Sequence, residues 1–236
     1  MNLRGCGTAL VTPLQSDGSL DQPTLRKLVE WQVASKIDFL VPCGTTGETP
    51  TLAPDEIRQV IETTVEVAAG KVPIVAGATS NSTREAVEKA KAVAKIKGVD
   101  AILTASPYYN KPTQEGQYQH FAAITGAVEK PLVLYNVPGR TGANIEPATL
   151  ARLAEIANII AVKEASGSIT QIAEVCNAVP DGFRDAIKFG AAALCYQSSQ
   201  RWQQAAMMQQ QFVGALGLGH SASDKGKIST FYSPAL

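Results

Sequence analysis

Six short apolar runs recur along the first 185 residues, about one βα unit of roughly 30 residues apart, and this beat constrains the fold more than any other feature. The runs are Gly7–Val11, Asp38–Pro42, Val72–Ala76, Asp100–Leu103, Pro131–Tyr135 and Ile159–Val162. Each is nearly continuous rather than alternating, the pattern of strands buried on both faces of a parallel sheet. Amphipathic stretches separate them. Pro23–Ala34 sets Leu25, Leu28, Val29 and Gln32 along one side, and Pro54–Ala69 opens with proline and acidic residues, which suit a helix N-terminus. Ser82-x-x-Glu85 reads as a capping box opening a helix that ends near Gly98. Gln114–Val128, Glu146–Ile156 and Ile169–Ala178 complete the set. Strict alternation means an α/β fold, either an open doubly wound sheet or a (β/α)8 barrel.

Polar residues help to choose. They gather at the end of each predicted strand: Thr12, Thr45 to Glu48, Thr79 to Asn81, Tyr108 to Asn110, Asn136 to Arg140, and Lys163-Glu164. A barrel brings all such ends to one face, where its active site lies, whereas an open sheet concentrates them at one switch point. Contributions from all six units favour a TIM (β/α)8-type barrel, expected to be incomplete because strands seven and eight are not recognisable. Residues 1–185 are assigned to the barrel and 186–236 to an atypical C-terminal segment. The second segment holds one acidic residue, Asp224, and seven glutamines, without strand-helix rhythm.

Charge and composition exclude several classes of function. Twenty-one basic residues balance 21 acidic ones, so no net field recruits nucleic acid or an anionic membrane. No run of apolar residues is long enough to span a bilayer, and MNLRGCGTALVTPL lacks the apolar segment of a signal peptide. The expected location is cytoplasmic. The four cysteines are far apart and read as free thiols. His120 and His220 have no cysteine neighbours, so no metal site is expected.

Lys163 is the sharpest chemical feature. It follows Ile159-Ile160-Ala161-Val162 at the end of a predicted buried strand, where desolvation favours the neutral amine. Such a lysine is a candidate nucleophile for imine chemistry with a carbonyl substrate. Pairing with Glu164 or another carboxylate at the barrel mouth is the plainer alternative, and position alone leaves both open. Gly44-Thr45-Thr46-Gly47-Glu48 could form a backbone and hydroxyl nest for a carboxylate or phosphate, or be an ordinary βα turn. Tyr135 could relay protons or be a core tyrosine. Arg140, after Pro138-Gly139, could grip a carboxylate or lie on the surface. Tyr108 and Tyr109 suit an interface or a core. Taken together on one face, these groups are the equipment for carbonyl chemistry through an imine.

GTTGE at 44–48, SPYYNKPTQEGQYQHF at 106–121, YNVPGRTG at 135–142 and IIAVKEASG at 159–167 resemble the dihydrodipicolinate (4-hydroxy-tetrahydrodipicolinate) synthase family, a branch of the class I aldolase and N-acetylneuraminate lyase superfamily. The resemblance runs from about Gly5 to about Arg184. It implies a lyase of lysine and diaminopimelate biosynthesis that condenses pyruvate with aspartate semialdehyde and needs no cofactor beyond the covalent imine. It implies that Lys163 forms that imine and that Tyr135 shuttles protons. Thr45 would stand between Tyr135 and Tyr109 in a hydroxyl relay. Thr46, with the Gly44 turn, would hold the pyruvate carboxylate, and Arg140 the semialdehyde carboxylate. The tyrosine matching Tyr109 crosses a dimer interface in this family, which implies a homodimer or homotetramer. An allosteric lysine pocket is implied near Thr49, Pro50, Asn81, Glu85 and Tyr108. Pro54 and Ile57 stand where inhibitable members often carry histidines, so weak or absent feedback is expected.

Beyond Arg184 the chain departs from the family pattern. Six strands alone would leave two unpaired edges and open the site to water. The alternatives are a related 2-keto acid aldolase of the same superfamily, or a truncated remnant with impaired or no turnover.

Overall fold

Pro73 shows how local chemistry trims the expected strands. It has no N–H to donate, so the third strand cannot begin at Val72; Pro73 contributes only its carbonyl, which accepts from the Leu40 N–H at 3.0 Å. The computed structural model describes Leu3 and residues 5–179. The strands are β1 (Gly7–Ala9), β2 (Phe39–Val41), β3 (Val75–Gly77), β4 (Ala101–Ala105), β5 (Leu132–Asn136) and β6 (Ile159–Glu164). Between and after them come α1 (Gln22–Ala34), α2 (Pro54–Ala68), α3 (Thr83–Ala94), α4 (Gln114–Thr125), the single turn α5 (Pro138–Thr141), α6 (Pro147–Ala154) and α7 (Ile169–Ala178).

Side chains set most of the helix starts. Asp21, Ser82, Thr113 and Ser168 each accept a backbone N–H from the first turn of the helix that follows. The Ser82 capping box is only half made. Ser82 caps the Glu85 N–H, but the Glu85 carboxylate accepts instead from the Ser80 hydroxyl at 2.9 Å. That helix ends at Ala94, short of Gly98, whose φ of 96° turns the chain toward β4.

All strand pairs are parallel. β1 pairs with β2, a bridge from Leu40 to Ile74 links β2 to β3, and β3, β4, β5 and β6 follow side by side. The spatial order equals the chain order. A doubly wound sheet would reverse its order at a switch point, and no reversal occurs among the described strands. The winding is that of a (β/α)8 barrel. The expectation of missing strands seven and eight, and the segment 186–236, lie outside the described residues.

Both sheet faces are buried, which is why the runs are apolar without alternation. Leu40, Ile74, Ile102, Leu132, Leu134 and Val162 face the helices, packed on Leu25, Ile61, Ala90, Phe121 and Leu150. Val41, Val75, Leu103, Ala105, Val133, Tyr135 and Ala161 form a second cluster on the opposite, inward face.

β5 and β6 extend past the expected ends, to Asn136 and Glu164. Asn136, Lys163 and Glu164, expected at the ends of their strands, are therefore ladder residues. Their backbones pair in register, Tyr135 with Lys163 and Asn136 with Glu164, and polarity of a side chain does not stop a ladder.

Candidate active site

Strand alternation sorts the two residues of the Lys163-Glu164 pair. Lys163 follows Ala161 onto the inward face, while Glu164 follows Val162 toward the helices. This disfavours the pairing of Lys163 with Glu164. The Glu164 side chain, 5% exposed, accepts from Asn136 Nδ2 at 2.9 and 3.2 Å, the Ser166 N–H at 2.7 Å and Gln171 Nε2 at 3.4 Å.

Lys163 is half-buried, and its Nζ lies 4.4 Å from the centroid of the Tyr135 ring, a cation–π distance. Tyr135 is 8% exposed and stands on the neighbouring strand, packed in the inward cluster with Leu103, Val133 and Ala161. An amine and a phenol thus lie side by side on the ends of neighbouring strands.

The turn after β2 is held tightly from behind. Cys43 and Glu48 adopt left-handed backbones, with φ of 55° and 54°. Gly77 lies so close to this turn that a Cβ there would sit 1.8 Å from the Cys43 carbonyl oxygen, so only glycine permits the approach. The Thr12 hydroxyl donates to the Gly47 carbonyl at 2.7 Å, and Thr49 Oγ1 to the Gly44 carbonyl at 2.9 Å. Thr45 and Thr46 are exposed on the single 3-10 turn Thr45–Gly47, and Gly44 is buried beneath them.

Two further loops crown the same strand ends. The loop after β4 carries Tyr109, 87% exposed with φ of 72°. Its N–H donates to the Thr141 carbonyl at 3.1 Å, which ties it to α5, the turn bearing exposed Arg140. Asn110 and Asn81 exchange hydrogen bonds, Asn81 Nδ2 to Asn110 Oδ1 and Asn110 Nδ2 to the Asn81 carbonyl, both at 3.1 Å. Of the expected allosteric residues, Asn81 thus meets the loop of Tyr108. Glu85 is engaged by Ser80, and Thr49 braces the Gly44 turn. Tyr135 and Lys163 are in direct contact; Thr45, Thr46, Tyr109 and Arg140 are exposed residues of the loops that follow β2, β4 and β5.

Sequence reasoning passed over a buried polar network on the helix side of β5 and β6. Asn144 accepts from Asn136 Nδ2 at 2.9 Å and from Gln171 Nε2 at 3.0 Å, and donates back to Gln171 Oε1 at 2.7 Å. Gln114 and Gln117 donate to its carbonyl at 2.8 and 2.9 Å. The available signal was parity: Asn136 and Glu164 each follow a candidate catalytic residue by one, so they had to face the other side.

Known proteins resemble this chain in sequence and fold. The family described as dihydrodipicolinate synthetase matches residues 2–186. A 4-hydroxy-tetrahydrodipicolinate synthase of Koribacter versatilis is 75% identical over 183 residues, covering 78% of this chain and 61% of the relative. The structure of a 4-hydroxy-tetrahydrodipicolinate synthase from Methylacidiphilum fumariolicum superimposes with a TM-score of 0.75 at 42% identity, over 77% of this chain and 60% of that one. A chloride-inhibited dihydrodipicolinate synthase from Acinetobacter baumannii, complexed with pyruvate, gives 0.76 at 40% identity, over 88% of this chain and 80% of that one. The chain spans about three-fifths of the length of the Koribacter relative. Among the described residues, no helix is long and apolar enough to cross a membrane.

Proposed function

The chain belongs to the dihydrodipicolinate synthetase family, and on that premise we propose that it condenses pyruvate with aspartate semialdehyde through an imine on Lys163. The observation that carries this reading is the Lys163 amine held 4.4 Å from the Tyr135 ring centroid on the sheltered inward face. The pyruvate complex of the Acinetobacter relative supports the choice of keto acid.

The chemistry follows from the groups present. Lys163 Nζ, in its neutral form, attacks C2 of pyruvate, and the carbinolamine loses water to give the imine. Loss of a C3 proton makes an enamine, whose C3 attacks the aldehyde carbon of the semialdehyde. Tyr135, beside the nitrogen, is the group placed to move protons at this centre. The amino group of the semialdehyde then displaces the lysine at C2, closing the ring and freeing Nζ. Gly44, Thr45 and Thr46 supply backbone N–H and hydroxyl donors for the pyruvate carboxylate, and the Arg140 guanidinium a bidentate partner for the second carboxylate. No cofactor takes part.

The extreme exposure of Tyr109 supports a homodimer in which this ring enters the partner's site and joins Thr45 and Tyr135 there. A tetramer would pair two such dimers.

Borohydride reduction with pyruvate tests the reading. The expected product is a pyruvyl adduct on Lys163, found by peptide mass spectrometry. Folded protein that gives no adduct would contradict it. Turnover with aldehydes other than the semialdehyde would instead favour a related 2-keto acid aldolase.

A further inference from the structure

The ladder between β5 and β6 is irregular before it reaches the site. Leu132 pairs with Ile159 but Val133 pairs with Ala161, so Ile160 is an extra residue on β6. A slip of one residue in a sheet turns every side chain to the opposite face. One step beyond this bulge, such a slip would carry Lys163 from the inward face to the helix side.

The Asn136–Glu164 contact is the fourth register pair after the irregularity and stands beside the reactive pair. Asn136 is fully buried and its side chain is fully engaged. Nδ2 serves Glu164 and Asn144, while Oδ1 accepts the Ile145 N–H at 3.0 Å. The partners that hold the Glu164 carboxylate are neutral amides, from Asn136, Ser166 and Gln171. A one-residue slip of β6 against β5 would take the Asn136 amide away from a buried carboxylate, a costly loss for an interior group.

We propose that Asn136 and Glu164 are positioning residues whose buried contact selects the register in which Lys163 faces Tyr135. The proposal deepens the imine reading and rests on it for its catalytic consequence. The register itself is measurable without catalysis.

The test uses the full chain with 13Cε-labelled lysine. Lys163 Nζ lies over the Tyr135 ring, so the protons of the adjoining Cε should be shifted upfield by its ring current; Lys163→Arg assigns the signal. Asn136→Asp sets two carboxylates against each other. Asn136→Asp combined with Glu164→Gln restores an amide–carboxylate pair with the roles exchanged. The single variant should lose the upfield shift and slow pyruvate trapping at least tenfold, with little change in half-saturating pyruvate. The double variant should recover the shift and bring trapping within threefold of the parent. If the single variant does not fold, recovery of fold and shift by the double variant carries the same meaning. The proposal is overturned if Asn136→Asp keeps the parent shift, or if the double variant fails to regain it. A parent with the upfield signal but no pyruvate adduct would defeat the imine reading alone, leaving the register to be decided by the shift.

Discussion

His120 makes the fold that carries the site sensitive to acid. It is 2% exposed on α4, with Nδ1 at 2.9 Å from the Thr83 hydroxyl of α3 and its ring edge-on to Phe121 at 5.3 Å. Nε2 is buried with no hydrogen-bond partner among the described residues, so a proton there would be desolvated and uncompensated. Burial pushes the ring's pKa down from 6.5 to about 4. Above the unfolded value both states hold a neutral ring. As pH falls below it, the unfolded chain takes up a proton that the folded chain refuses, so stability declines until pH has passed through the folded value. Between pH 7.5 and 5 these pKa values give a loss of about 2 kcal/mol, and about 3 kcal/mol in full. The perturbation is His120→Gln, which cannot titrate. Urea unfolding followed by circular dichroism at both pH values reads the effect. The parent should lose about 2 kcal/mol more than the variant on acidification. Equal losses in the two proteins would refute the reasoning. α3 and α4 begin just after the loops joined by Asn81 and Asn110, so the same acidification should loosen the Tyr109 loop before the rest of the sheet.

Other perturbations separate fold from chemistry. Gly77→Ala drives a methyl group into the Cys43 carbonyl and should cost about 3 kcal/mol in thermal or urea unfolding, with loss of pyruvate trapping as the Thr45 turn is displaced. Arg140→Ala, on an exposed turn, should change stability by less than about 0.5 kcal/mol. On the proposed role it should raise the KM for the semialdehyde about tenfold or more in steady-state assays and leave pyruvate trapping intact. Leu134→Ala opens a void between β5 and the helices and should destabilise by about 2–5 kcal/mol, read as a lower midpoint of unfolding. If the resemblance places the lysine pocket correctly, Pro54 and Ile57 deprive it of the histidines that inhibitable members often carry, and calorimetry should detect no lysine binding at micromolar concentration.

The sequence by itself determined the element order, the parallel class of the sheet and the strand-end address of Lys163 and Tyr135. Those properties are local or periodic: apolar runs of strand length, caps such as Ser168, and helix faces such as Leu25 with Val29 repeat within a few residues. Tertiary structure alone decided that the strands lie in chain order, that Gly77 must admit the Cys43 carbonyl, and that the Glu164 carboxylate is held by Asn136. It also decided that β6 carries an extra residue before the site. Each of these depends on which backbone meets which across 25 to 35 residues of intervening chain. Hydrogen bonding and close packing settle that meeting only once the sheet has assembled, so no short window of sequence contains it.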